Sequence, residues 1–164
     1  CMKNFKYLAI FILTISFSIN SIAEENTGLS NLKKVADDMK FQNGMEFYKL
    51  EKFDRALNEF NEYIEIYFDG IHRNEALKKI AEIHIKLFDY QKAIESYRIL
   101  YQEYSSTDEG IDAYFQIGVC YKKMGFDAKA EEIFKYIVEE HQGTSAAYNA
   151  GIQLDLLKIS SDQK

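Results

Sequence analysis

The feature that most constrains this chain is a repeat of 37 residues. Ala56, Ala93 and Ala130 stand 37 apart, and Gly44, Ala81 and Gly118 keep the same register. Phe47, His84 and Tyr121 follow it, as do Phe60, Tyr97 and Phe134, while Ala76, Ala113 and Ala150 carry it toward the C-terminus. A period of this length marks a stacked supersecondary unit. The columns say what the unit is. Gly44, Ala81 and Gly118 let a second helix approach closely, and Phe47, His84 and Tyr121 lie one turn further on the same face. The Ala-x3-aromatic pairs at 56–60, 93–97 and 130–134 put a small and a large residue on one face of a second helix. Each unit is then a helix hairpin that cannot bury its apolar face alone, so the hairpins must stack into a continuous core.

The pattern predicts paired helices over 31–50 and 53–68, 71–87 and 90–104, and 108–124 and 127–141. A closing helix is expected over 145–159, with Ser145 as its N-cap. The chain contains no Pro, and Asp69-Gly70, Ser105-Ser106-Thr107 and Gln142-Gly143-Thr144 serve as the breakers.

These columns resemble the tetratricopeptide repeat. The third unit matches best, through Tyr114, Ile117-Gly118, Tyr121, Ala130 and Phe134. The second has Leu77, Ile80-Ala81, His84, Ala93 and Tyr97, and the first recovers at Phe47, Ala56 and Phe60 after a degenerate start at Lys40 and Asn43-Gly44. The resemblance implies an all-α, right-handed superhelical solenoid of three hairpins with a C-terminal capping helix. Within that class the joints Tyr67-Phe68-Asp69-Gly70 and Tyr104-Ser105-Ser106-Thr107, and the segment Gly143–Ala147, are similar to those of the periplasmic Tol-Pal cell-division coordinator (CpoB, also called YbgF). They are less closely similar to those of the outer-membrane assembly lipoprotein BamD. This implies a bacterial periplasmic adaptor with a peptide-binding groove. Alternatives are a structural subunit of a larger envelope machine, such as a flagellar motor collar or secretion apparatus, and an outer-membrane protein assembly factor.

The N-terminus reads as an address. Lys3 and Lys6 precede an apolar run, Tyr7–Ile19, and Ser21-Ile22-Ala23 offers small residues to a signal peptidase. The run is shorter than the ~20 residues that span a bilayer. Cleavage is expected after Ala23, leaving a flexible segment over 24–30, the repeat domain over 31–159 and a disordered tail over 160–164. No Cys stands at the end of the apolar run, so the expectation is an exported protein without a lipid anchor.

Function classes narrow from charge and motif. The chain has 20 Lys+Arg against 26 Asp+Glu, a net charge of -6, and no basic run of the kind a duplex nucleic-acid binder uses. It has no G-x-S-x-G, no phosphate-binding Gly-rich loop and no H-E-x-x-H, so no enzyme, cofactor, metal or small-molecule substrate is expected. His72, His84 and His141 are far apart in the register, and Cys120 lies in an apolar stretch that predicts burial.

The first helix of each hairpin lines the concave face of such a stack. The register places Phe41, Met45 and Tyr48 there, then Lys78, Glu82 and Ile85, then Phe115, Val119 and Lys122, and Ile152 and Leu156 from the closing helix. Such a groove, apolar at its ends and charged in the middle, takes a protein segment. The alternatives are that Ile152 and Leu156 only complete the core, or that the face seals against a copy of itself. Lys49, Lys86 and Lys123 form a further column, suited to an acidic segment or simply to the negative ends of helices.

Overall fold

The computed structural model describes residues 28–161, which form seven helices and no strand. Helix α1 covers 28–49, α2 Phe53–Ile66, α3 Arg73–Lys86, α4 Tyr90–Tyr104, α5 Asp108–Lys123, α6 Asp127–Glu140 and α7 Ser145–Ser161. The order and number of helices are those the period predicts. The leader, the cleavage site and residues 162–164 lie outside the described residues. Residues 28–30, expected as flexible, already belong to α1, and α7 runs two residues past the expected 159.

The chain divides into two compact units, at Met39 and Lys40. The described part of the first is residues 28–39, where Leu29, Leu32, Val35 and Met39 are exposed at helical spacing. The second unit begins at Lys40, just before the first of the small–large columns, at Gly44.

The second unit is a solenoid of helix hairpins. Each helix packs on the next from α2 to α7, and α5 touches both α3 and α7. Contacts between alternate helices mean that the first helices of the hairpins share one face. The small columns explain how closely the pairs sit. A Cβ built on Gly118 would lie 2.6 Å from the Phe134 ring, and one on Gly44 would lie 2.6 Å from the Phe60 ring. Both rings, with Ala56, Ala93 and Ala130, are fully buried. One core cluster gathers Phe41, Ala56, Phe60, Tyr63, Ala76, Ile80 and Ile83. A second runs from Leu77 to Ala150, and half-buried Ile64 packs against both.

Local chemistry fixes the joints. Asp89 accepts from the Lys92 N–H at 3.3 Å and caps α4, and Thr107 accepts from the Gly110 N–H at 3.2 Å and caps α5. The cap of α7 is Thr144, whose Oγ1 accepts from the Ala147 N–H at 3.1 Å, so Ser145 is the first helical residue instead of the cap. Between the first and second hairpins Arg73 is buried. Its guanidinium donates to both Glu103 carboxylate oxygens at 2.8 Å and to the Ile64 carbonyl, and it covers the Phe68 ring at 4.6 Å. That network occupies the place where a repeat-closing proline is missing.

Candidate binding groove

The groove is built from the faces of α1, α3, α5 and α7 that do not receive a second helix. Of the fourteen positions read from the register, two do not line it. Phe41 is 3% exposed and Phe115 is 8% exposed. Each turns inward onto the aromatic of its partner helix, Phe41 to Phe60 at 5.8 Å and Phe115 to Phe134 at 5.5 Å between ring centres. Phe41 also stacks on His72 at 4.3 Å. The equivalent residue in the second hairpin, Lys78, is exposed, because an ammonium must stay in water where a ring gains by leaving it.

Met45, Tyr48, Glu82, Ile85, Val119 and Lys122 are half-buried, and Lys49, Lys86, Lys123, Ile152 and Leu156 are exposed. The middle of the groove is polar and largely self-satisfied. Tyr48 donates its hydroxyl proton to Glu82 Oε2 at 3.0 Å, and Lys79 Nζ donates to the same oxygen at 2.8 Å. The Lys79 ammonium also lies 5.0 Å from the centre of the Tyr48 ring. Burial, then the Glu82 charge, pushes the Tyr48 phenol up to about 12. Tyr48 and Glu82 are 34 residues apart, so this bond ties the first hairpin to the second. Lys79 was not among the residues read from the register. Its spacing of three from Glu82 on one helix was the available signal.

Beside this cluster a cleft of about 300 Å³, lined by Glu75, Lys78, Lys79, Glu82 and Glu109, opens over Leu100. Burial raises the Asp112 carboxyl above its usual range, with Lys78 and a hydrogen bond from Gln116 opposing. Further along, Lys122 Nζ donates to Gln153 Oε1 at 2.8 Å and joins α5 to α7.

The end of the solenoid is the most informative part. By the 37-residue register Asp155 stands where Gly44, Ala81 and Gly118 receive a second helix, and Lys158 stands where Phe47, His84 and Tyr121 do. The face of α7 on which a further helix would pack is thus charged. A cleft of about 420 Å³ runs along it, its charges Asp127, Glu131, Lys135, Asp155 and Lys158 set beside Leu154 and Leu157. The groove side of α7 stays apolar and exposed, with Leu156 and Ile159, and Ile152, whose column turns inward at Phe41 and Phe115, is exposed beside them.

Other candidate chemistry is quiet. Cys120 is fully buried, and burial pushes its thiol up to about 11. His84 is half-buried in the column of Phe47 and Tyr121. Among the described residues no three His, Cys, Asp or Glu side chains are placed to share a metal ion, and no helix is long and apolar enough to cross a membrane.

Residues 75–107 and 112–144 match the model of the tetratricopeptide repeat family. The second and third hairpins are thus matched as tetratricopeptide repeats. The first hairpin lies outside the matched residues, consistent with its degenerate start at Lys40 and Asn43-Gly44. The chain is 32% identical over 130 residues to the Hsp70-Hsp90 organising protein of Plasmodium falciparum, an alignment covering 74% of this chain and 22% of that protein. The chain therefore spans about a fifth of that relative's length. A chain of a T3SS complex from Aeromonas hydrophila is similar with a TM-score of 0.62, at 18% identity, over 83% of this chain and 89% of that one. The second tetratricopeptide domain of human RPAP3, solved in complex with the HSP70 peptide SGPTIEEVD, is similar with a TM-score of 0.55, at 17% identity, over 74% of this chain and 98% of that one. At these identities the solved structures show the shared fold. Stacked repeats of this fold present an extended concave surface.

Proposed function

We propose that this chain is a non-enzymatic, exported bacterial scaffold that holds a partner protein segment in its concave groove and helps organise a cell-envelope assembly. The observation that carries the groove reading is the two-sidedness of α7. Its stacking face carries Asp155 and Lys158, while its groove face keeps Ile152, Leu156 and Ile159 in water. Exposed apolar side chains lying together on one face of a helix mark a candidate binding surface. The RPAP3 domain, seen with an acidic HSP70 peptide, supports a segment as the kind of ligand. The chemistry here differs. Glu82 sits at the centre of the groove, and Lys79 and Tyr48 are already committed to it. The favoured ligand is therefore a segment anchored by apolar side chains against Val119, Ile152 and Leu156. A preformed groove of this kind loses little conformational entropy on binding.

The exported part of the proposal rests on Lys3, Lys6, the run Tyr7–Ile19 and the site ending at Ala23. The Tol-Pal coordinator and the outer-membrane assembly adaptor are the proposed functional parallels. The test is a photoreactive amino acid at position 156 in cells, with mass spectrometry of what it captures and of the mature N-terminus. Phe115 is too buried to carry the probe. Capture of a division or outer-membrane assembly component at 156, lost with Ile152→Glu, is the expected result, with a mature chain beginning at Glu24. Equal capture from a probe at Tyr136, outside the groove, would overturn the groove. An uncleaved chain retained in the cytoplasm would overturn the export.

A further inference from the structure

Three turns join the paired helices, at 50–52, 87–89 and 124–126. Hairpins stacked in one register place these turns in a row along one edge of the second unit. Each turn passes through a left-handed residue at the equivalent place: Glu51 with φ 54°, Phe88 with φ 61° and Gly125 with φ 80°. Glycine adopts that conformation freely, whereas a bulky side chain there is an outlier. Phe88 is nevertheless 78% exposed, its ring meeting Tyr90 edge-on at 6.5 Å. A strained backbone that presents an aromatic ring to water points to a functional constraint. Leu50, Leu87 and Phe126 are exposed on the same three turns.

Cations surround these tips. Lys49, Lys86 and Lys123 end the first helices, and Arg55, Lys92 and Lys129, again 37 apart, begin the second. Arg55 and Lys129 lie over the rings of Phe47 and Tyr121 at 5.6 and 5.2 Å. The acids of this edge, Glu51, Asp54, Asp89 and Asp127, are outnumbered, and Asp89 is paired with Lys92 at 3.1 Å. If helix dipoles were the reason for the lysines, every helix would end in a cation. The second helices do not. The last turns of α2, α4 and α6 hold no basic residue, and Glu65, Glu103 and Glu140 stand there instead. The basic edge is thus a local feature of a chain whose net charge is -6.

We propose that this edge docks on an anionic lipid bilayer. Leu50, Leu87, Phe88 and Phe126 enter the headgroup region, and the lysines meet the lipid phosphates. Apolar tips among cations are the chemistry of an interfacial anchor. Single tips spaced in a row fit a plane, whereas a protein partner would call for a contiguous pocket. The edge shares Lys49, Lys86 and Lys123 with the positions read as the groove, but its apolar tips Leu50, Leu87, Phe88 and Phe126 are not among them, and the proposal does not depend on a groove ligand.

The chain lacks Trp, so Phe88→Trp creates a unique probe at the edge, and Tyr148→Trp creates one at an exposed site on α7. Each full-length variant is mixed with vesicles of phosphatidylcholine alone or with 30% phosphatidylglycerol, with and without brominated lipid, as ~30% anionic content gives the surface potential the proposal needs. The expected result is a blue-shifted, bromine-quenched emission from position 88 on the anionic vesicles only, weakened by salt, with position 148 unchanged. Residues 1–27 are common to both variants, so any membrane affinity of that segment moves both probes alike. Lys49→Glu, Lys86→Glu and Lys123→Glu together on the Phe88→Trp background, with helicity checked by circular dichroism, should lower partitioning by at least about a hundredfold. Silence at position 88, equal quenching at both positions, or full binding by the triple variant would each overturn the proposal. Silence on vesicles with capture of an acidic protein at position 88 would assign the edge to that class of partner instead.

Discussion

Phe88 offers a prediction in which stability and function separate. Its side chain is 78% exposed, so about a fifth of the ring's burial is at stake. Full burial of a Phe is worth about 1.5–3 kcal/mol, so Phe88→Ala should cost only about 0.3–0.7 kcal/mol. The backbone acts differently. At φ 61° alanine keeps the left-handed strain, and glycine removes it. Phe88→Gly should therefore be more stable than Phe88→Ala by about 1 kcal/mol, the reverse of the order in a helix interior. It should come out level with or slightly above the parent chain. In thermal unfolding this separates the two variants by roughly 2–5 °C. Urea denaturation gives the same comparison without heat. An alanine variant more stable than the glycine variant would show that position 88 is not held in the left-handed region. A loss above about 2 kcal/mol for either would show that the ring is packed, which would also remove the case that it is presented for binding. The anticipated combination is a glycine variant that folds as well as its parent and no longer shifts onto anionic vesicles.

Further outcomes follow from the core. Gly118→Ala drives a Cβ to 2.6 Å from the fully buried Phe134 ring and should cost about 1–3 kcal/mol, whereas Gly151→Ala, with nothing within 4 Å, should gain about 0.5–1 kcal/mol; urea titrations of both check the sign. Burial lowers the His84 pKa below 6.5, with Asp89 opposing, and its Nδ1 is buried without a hydrogen-bond partner. The folded state thus favours the neutral ring, so His84 stability is complete above pH 6.5 and is lost as pH falls through the lowered value. His84→Phe, the residue type at 47, should reduce the fall in melting temperature between pH 7.5 and 5.0. Cys120 is fully buried with its thiol pushed up to about 11, so a thiol reagent should label it only as fast as the solenoid opens, and labelling should accelerate with urea. Immediate stoichiometric labelling of Cys120 in the native chain, resolved from Cys1 by peptide mapping, would refute that burial.

Helix order and pairing were legible because burial repeats with the sequence. Ala56, Ala93 and Ala130 are interchangeable solutions to one steric problem, the approach of a second helix, and the 37-residue spacing exposes it without any coordinates. The groove was legible only as a face. Register places Phe41, Lys78 and Phe115 at equivalent points, yet the two rings rotate into the core and the ammonium rotates out. Which way a side chain turns depends on its own solvation, and periodicity averages that away. The Thr144 cap was displaced by one residue for a similar reason, since Thr144 and Ser145 offer the same hydroxyl and only the backbone decides which one reaches the Ala147 N–H.

The turn edge went unread because its signal is conformational. Glu51, Phe88 and Gly125 share a left-handed backbone but no chemistry, so no column marks them. Once that backbone is seen, their neighbours form one pattern. Lys49, Lys86 and Lys123 admitted two explanations from the sequence, one electrostatic within each helix and one external. The glutamates at the ends of α2, α4 and α6 decide between them, because a chain that tolerates Glu65, Glu103 and Glu140 at negative helix ends is not selecting lysines to neutralise such ends. The lysines answer to something outside the helix. The exposed rings and methyls beside them say that this partner is apolar beneath an anionic surface.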